Sequence, residues 1–278
     1  MSQHASLRAD AVSADAKDRP LVEPQKSYHT VLEQQIIVAE EELKRSSLSL
    51  FLSGLTGGLD VGLGPFAMAV FLTLMRGTMP APLLRLSAAN LYSLGFIFVV
   101  IGRSALFTEH TTSAIQPVFD GRTSTRALLR LWGIVLAANL VGAAVVAWFA
   151  VRLGSSLHVA DAIAFGQLAD RMTSPPWHTI FFSGVGAGWL MGLLSWLSVA
   201  ARETISQIVV VWLTTFVIGL AGLHHCIAGS AEVLAGIFSG GTSWLDFARF
   251  LVFAVLGNVF GGTVMVSSLK FAHVRRAG

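Results

Sequence analysis

The sequence predicts an all-α membrane protein: six transmembrane helices in an inverted repeat of three and three, with the second and fifth helices broken. Composition is the first of three observations behind this. Hydrophobic residues make up 54% of the 278-residue chain, charged residues 13%, and the mean hydropathy is +0.67. Apolar content on that scale spans bilayers rather than filling a soluble core. The second observation is length. Segments of about 48–75, 86–119 (broken near 105–110), 126–152, 178–200, 205–238 (broken near 224–229) and 248–272 each reach the roughly 20 residues that cross hydrocarbon. They run without apolar–polar alternation, which argues against strands. The third is self-similarity. Ser53-Gly54-x3-Gly58-x3-Gly62 returns as Ser183-Gly184-x3-Gly188-x3-Gly192, and Asn139-Leu140-Val141-Gly142 returns as Asn258-Val259-Phe260-Gly261, 119 residues later. An odd number of spans per repeat turns the second half over in the bilayer. Breaks at corresponding positions are then the best sequence pointer to a transport site.

The elements follow in order. Residues 1–27 mix Ser, Ala, Asp, Lys, Arg and Pro and read as a disordered cytoplasmic tail. Over 28–47, Val31, Leu32, Gln35, Ile36, Ala39 and Leu43 fall at helical spacing beside Glu33, Glu40, Glu41 and Glu42. That pattern fits an amphipathic helix at the cytoplasmic surface, or a solvated lead-in helix. The channel domain occupies 48–274, and 275–278 form a short cytoplasmic C-terminus. The polar first 47 residues give no expectation of a cleavable signal peptide.

Orientation comes from loop cations. With the N-terminus inside, that side holds Lys44, Arg45, Arg122, Arg126, Arg130, Arg202, Lys270, Arg275 and Arg276. The other side holds Arg76, Arg85, Arg152, Arg171 and Arg249. The excess places both termini in the cytoplasm. The net charge of +3 and pI near 9.4 reflect this bias. No basic stretch is interleaved with aromatics, so no nucleic-acid partner is expected. Cys226 is the sole cysteine, which rules out an intrachain disulfide or a thiolate zinc site. No cofactor is expected.

Glycines at every fourth position give each stripe one narrow face, suited to close helix packing or to surfaces around a pore. Asn139 and Asn258 are amides deep in apolar spans, costly unless hydrogen-bonded. Backbone groups released at the neighbouring breaks are their natural partners, so each Asn is expected to support one break. The first break, Ser104 to Thr112, is polar within an otherwise apolar region. The second carries His224 and His225 near the middle of its span.

Here the chain resembles the formate/nitrite transporter family. Leu106-Phe107-Thr108 resembles the family's loop in the second helix. His225-Cys226-Ile227-Ala228, after Gly222, resembles its fifth-helix signature. Asn139-Leu140-Val141-Gly142 and Gly257-Asn258-x-x-Gly261-Gly262 resemble its third and sixth helices. The resemblance covers roughly 45–274. It implies a homopentamer of aquaporin-like protomers in a bacterial inner membrane, each with its own pore for small monovalent anions such as formate, nitrite or hydrosulfide.

The resemblance also implies roles. His225 matches the central pore histidine and Thr108 the loop threonine. Leu106 and Phe107 match the cytoplasmic constriction, while Tyr92 and Ile218 match apolar residues near the histidine, Tyr92 bringing a hydroxyl. Ser195 falls opposite the loop, where the family has a small aliphatic residue. Several positions depart from the pattern. Gly229 and Gly192 stand where the family has Asn, His224 where it has Glu, and Ala105 where it has an acid. The vestibule lysine has no match in Met172 to Trp177, and the nearest cation is Arg171.

A bare anion is far costlier to pass through an apolar constriction than its neutral acid. A histidine between two constrictions can protonate the anion or hold it by a charge-assisted hydrogen bond. Arg103 and Glu109 either pair or line the cytoplasmic mouth. Glu232, seven residues after His225 and able to share its face, is either a buried or interfacial carboxyl bonded to backbone or part of a proton relay. His224 is expected to face protein, or to join such a relay. A channel for a neutral solute or weak base, an intramembrane metal enzyme using His224, His225 and Glu232, and a non-conducting scaffold are the rival readings. Adjacent histidines point about 100° apart on a helix, and no His-Glu-x-x-His run exists, which weighs against the enzyme.

Overall fold

The computed structural model describes residues 25–276, all helix and loop with no strand among them. The tail expected over 1–27 lies outside the described residues except for its last three, and Ala277 and Gly278 of the C-terminus lie outside them too. Ser27 caps α1 (Tyr28–Lys44) by accepting Thr30 N–H, and Lys26 Nζ donates to Val199 O. The buried face of α1 is Val31, Leu32, Gln35, Ile36, Ala39 and Leu43.

Six spans follow. The first repeat is α2 (Ser47–Met75), α3 (Ala81–Ile101) with the short re-entrant α4 (Phe107–Ser113), and α6 (Thr125–Ser156). A single turn, α5 (Gln116–Phe119), links α4 to α6. The second repeat is α8 (Trp177–Ala200), then α9 (Thr204–Ala221) with α10 (Ala228–Phe238), then α11 (Trp244–Phe260). A π-helical segment, Gly261–Ser268, carries α11 into α12 (Leu269–Arg276). Among the described residues, six helical stretches are long and apolar enough to cross a membrane. Large apolar side chains such as Leu52, Leu63, Trp148, Phe149, Phe182 and Leu213 stay exposed, as lipid contact requires.

Two boundaries differ from the sequence reading. The second span starts at Ala81 rather than near 86, because Pro82, in its first turn, presets the helical φ directly after Pro80 at the N-cap. The breaks are residues 102–106 and 222–227, so Phe107 to Thr112 are helical although the sequence placed them in the interruption.

Between the repeats, α7 (Ala162–Thr173) packs on α10. Asp161 caps it through Ala164 N–H and takes both terminal nitrogens of Arg76 at 2.8 Å each. The Arg76 guanidinium holds that carboxyl down to about 2, which ties α7 to the end of α2.

With apolar lipid outside, helices associate by close packing of small residues. A Cβ on Gly58 would lie 2.2 Å from Asn139 O, and one on Gly188 2.2 Å from Asn258 O. One turn on, Gly62 faces Val146 and Gly192 faces Val266. Asn139 and Asn258 are 119 residues apart but Val146 and Val266 are 120. The second repeat therefore carries one extra residue in its last span, and the π-helical turn absorbs it.

Candidate functional site

Two loops meet at the centre of the protein, 102–106 leading into α4 and 222–227 leading into α10. Backbone groups released in an apolar interior need partners, and both loops find them in the same places. Ala105 N–H donates to Ser53 Oγ and His224 N–H to Ser183 Oγ, each at 3.0 Å. Phe107 N–H donates to Asn139 Oδ1 and Cys226 N–H to Asn258 Oδ1, each at 2.8 Å. Asn139 Nδ2 donates to Gly54 O (2.6 Å) and Ala105 O (2.9 Å). Asn258 Nδ2 donates to Gly184 O (2.9 Å) and His224 O (2.8 Å). Each amide thus ties its loop to a glycine-striped helix. The register makes Leu106 the counterpart of His225.

His225 is fully buried. Its Nδ1 accepts N–H groups from Ile227 (3.3 Å) and Ala228 (3.2 Å) at the start of α10. The ring hydrogen of the neutral form therefore sits on Nε2, which donates to Thr108 Oγ1 at 2.8 Å. The Thr108 hydroxyl keeps its own hydrogen to give to a third group. Phe96 stands edge-on to the imidazole, centroids 4.9 Å apart at 87°.

The other residues singled out from the sequence fall in different surroundings. Leu106, Phe107, Tyr92 and Ile218 are buried. Tyr92 packs behind Phe96 at 5.1 Å, and its hydroxyl bonds to no described residue. Phe96, which the sequence reading passed over, takes the place beside the histidine. Phe107 stacks edge-on with Trp132 of α6 at 6.4 Å. Ile218 lies in the last turn of α9, where its carbonyl accepts Leu223 N–H. Ser195 Oγ accepts Gln35 Nε2 of α1 (3.3 Å), and Gln35 Oε1 accepts Gln116 Nε2 (2.9 Å). Both glutamines are buried and neither was singled out as a site residue. The one available signal was Gln35 lying among the apolar positions of its helix.

Cavities open on both sides. On the α1 side, about 610 Å³ is lined by residues including Gln35, Arg103, Ser104, Glu109, His110 and Ser195. Arg103 and Glu109 share this cavity without an ion pair between them. On the α7 side, about 360 Å³ is lined by residues including Arg85, Arg171, Leu168 and Gly222. Arg85 donates to Leu220 O through Nε (3.1 Å) and Nη2 (2.8 Å), and Arg171 Nη2 donates to Gly219 O (3.1 Å). Among the described residues neither guanidinium pairs with a carboxylate.

His224 turns away from this centre, its Nδ1 on Ser183 Oγ at 2.8 Å. Glu232 is buried beside a small void near Pro65, Phe66 and Phe165. It bonds to no described residue, contrary to the backbone-bonded carboxyl expected from sequence; its apolar neighbours offer no donor. Among the described residues no three His, Cys, Asp or Glu side chains gather as a metal ion would need.

Comparison with known proteins places this geometry. Residues 29–272 match the family model described as formate/nitrite transporter. The inner membrane protein YfdC of Escherichia coli (strain K12) is 33% identical over 241 residues, covering 85% of this chain and 75% of that protein. Among solved structures, an FNT family ion channel superposes with a TM-score of 0.78 at 21% identity, over 87% of this chain and 98% of that one. A pentameric formate channel with formate bound superposes at 0.70 with 22% identity, over 82% and 98%. The chain belongs to the formate/nitrite transporter family.

Proposed function

We propose that this protein conducts small monovalent anions or their conjugate acids, of the formate, nitrite and hydrosulfide kind, with Thr108 and His225 as the pore centre. The 2.8 Å bond between them carries the reading. Because Ile227 and Ala228 N–H occupy Nδ1, Nε2 is the donor in it, and the Thr108 hydroxyl hydrogen is left with no described acceptor. An anion reaching the centre meets that donor, and a hydrogen bond to a charged acceptor is about twice as strong as a neutral one.

Leu106 and Phe107 narrow the path on the α1 side, and Phe96, Tyr92 and Ile218 on the α7 side. A bare anion crosses such apolar walls at far greater cost than its neutral acid, so exchange of a proton at the centre speeds passage. The geometry sets a condition on that exchange. A second ring proton belongs on Nδ1, and Ile227 and Ala228 N–H must first release that atom. Asn139 and Asn258 support the two breaks. Arg85 and Arg171, neither of them paired with a carboxylate among the described residues, raise the local concentration of anions in their cavity and repel protonated bases. That favours an anion over a weak base.

The pentameric formate channel of like fold argues for a homopentamer here. YfdC argues for a bacterial inner membrane, with both termini cytoplasmic by the loop cations and lipid around the bundle. The test is flux in proteoliposomes under an imposed pH gradient. Formate, nitrite and hydrosulfide are expected to outrun ammonia. His225→Ala is expected to slow the anions roughly tenfold or more. Equal fluxes for wild type and His225→Ala between about pH 5 and pH 8 would sink the central role.

A further inference from the structure

Asp60 sits near the middle of α2 (Ser47–Met75), in an otherwise apolar stretch. Ionisable groups at that depth are costly and mark function by default. Its Oδ2 accepts the Ser104 hydroxyl at 3.0 Å, one residue before Ala105, whose N–H and carbonyl are already held by Ser53 and Asn139. The repeat shows that the fold does not require this bond. Ser53 and Asn139 have counterparts, Ser183 and Asn258, that make the same contacts at the second break. Counted with the same offsets, Asp60 corresponds to Leu190 and Ser104 to Leu223. The second break closes with two leucines where the first has a carboxylate and a hydroxyl.

We infer that Asp60 is a positioning residue for the pore: through Ser104 it sets the path of 102–106 and so the placement of Leu106 and Thr108 against His225. This rests on the reading of Thr108 and His225 as the pore centre. Arg103, next to Ser104, has φ +56, a left-handed conformation unfavourable for a non-glycine residue. Gly222, at the matching place in the second break, has φ +70, so both loops take this turn but only the first takes it with a side chain that disfavours it. The first loop is the strained one, and loss of a bond lets it move.

The experiment compares formate flux in proteoliposomes for wild type, Asp60→Asn, Asp60→Leu, Ser104→Ala, the double variant Asp60→Leu/Ser104→Ala, and His225→Ala, each first checked for wild-type elution in detergent. Asp60→Leu and Ser104→Ala are each expected to lower formate flux about fivefold. The double variant should lose no more than either single, because one bond is broken in all three. Asp60→Asn keeps an acceptor oxygen for Ser104 and should stay near wild type. Should Asp60→Leu fail to assemble, Ser104→Ala alone carries the test. Wild-type flux in Ser104→Ala, additive losses in the double variant, or an Asn variant as slow as the Leu variant would overturn the inference. Silent Asp60→Leu and Ser104→Ala beside an impaired His225→Ala overturn only this inference, whereas a silent His225→Ala overturns the pore-centre reading beneath it.

Discussion

The two breaks are built alike and tipped differently. Each takes one serine, one asparagine amide and one glycine-striped helix, and the hydrogen bonds agree atom for atom. At the tip, however, the first break offers Leu106 where the second offers His225, and Thr108 where the second has Ile227. The supports answer a demand every interrupted membrane helix makes, namely satisfaction of released backbone groups. The tips answer no such demand. Chemistry specific to this pore therefore has to lie where the repeats disagree.

The largest effect is expected where they agree. Asn258→Leu strands Cys226 N–H and the carbonyl of His224 and removes the second donor from the helical carbonyl of Gly184. Asn139→Leu does the same at the first break with Phe107 N–H, Ala105 O and Gly54 O. At about 1–3 kcal/mol per buried group left unpaired, each substitution costs at least ~2 kcal/mol and should prevent assembly. Detergent-solubilised yield and thermal unfolding measure this. An Asn258→Leu protein that assembles and conducts normally would show that the supports are dispensable and the likeness of the breaks incidental.

Next come the tips, where the same kind of truncation should act with opposite sign. His225→Ala removes the donor and slows anions. Leu106→Ala removes an apolar wall from the counterpart position, at a stability cost of about 2–5 kcal/mol. It should speed leakage of a neutral solute such as glycerol in stopped-flow vesicle measurements. If both substitutions slow formate and neither admits glycerol, Leu106 is not a constriction and the functional asymmetry fails.

What was legible in the sequence follows the same division. Gly58 and Gly188 leave no room for a Cβ, and Asn139 and Asn258 serve bonds that no apolar side chain can make. Backbone geometry forces these residue types, so they recur and the repeat can be read. The six spans are legible because hydrocarbon sets their length. Phe96, Gln35, Arg85 and Asp60 were passed over as site residues. Phe96 carries no mark, because which side of a wholly apolar span faces the pore depends on packing across the bundle. Gln35 and Asp60 are polar groups among apolar positions, which is a mark, but their partners Ser195, Gln116 and Ser104 are set by packing across the bundle. The π-helical turn was hidden as well, since one added residue in an apolar run leaves hydropathy unchanged.

The smallest effect tests how closely the supports match. Ser53→Ala and Ser183→Ala each free one buried loop N–H, of Ala105 and of His224, at a cost of about 1–2 kcal/mol. Ser183 has a second task, since its Oγ also meets His224 Nδ1 at 2.8 Å. Ser53 has no such neighbour, because Ala105 stands at the position of His224 and brings no polar group. Ser183→Ala should therefore lower the thermal midpoint in detergent more than Ser53→Ala does, by the equivalent of up to ~1 kcal/mol. Equal midpoints would mean that His224 finds another partner when Ser183 is lost. A larger drop for Ser53→Ala would mean that the first break depends on its serine more than the second. Matching geometry would then conceal unequal loads, and the loop that carries Leu106 and leads into Thr108 would be the more weakly held of the two.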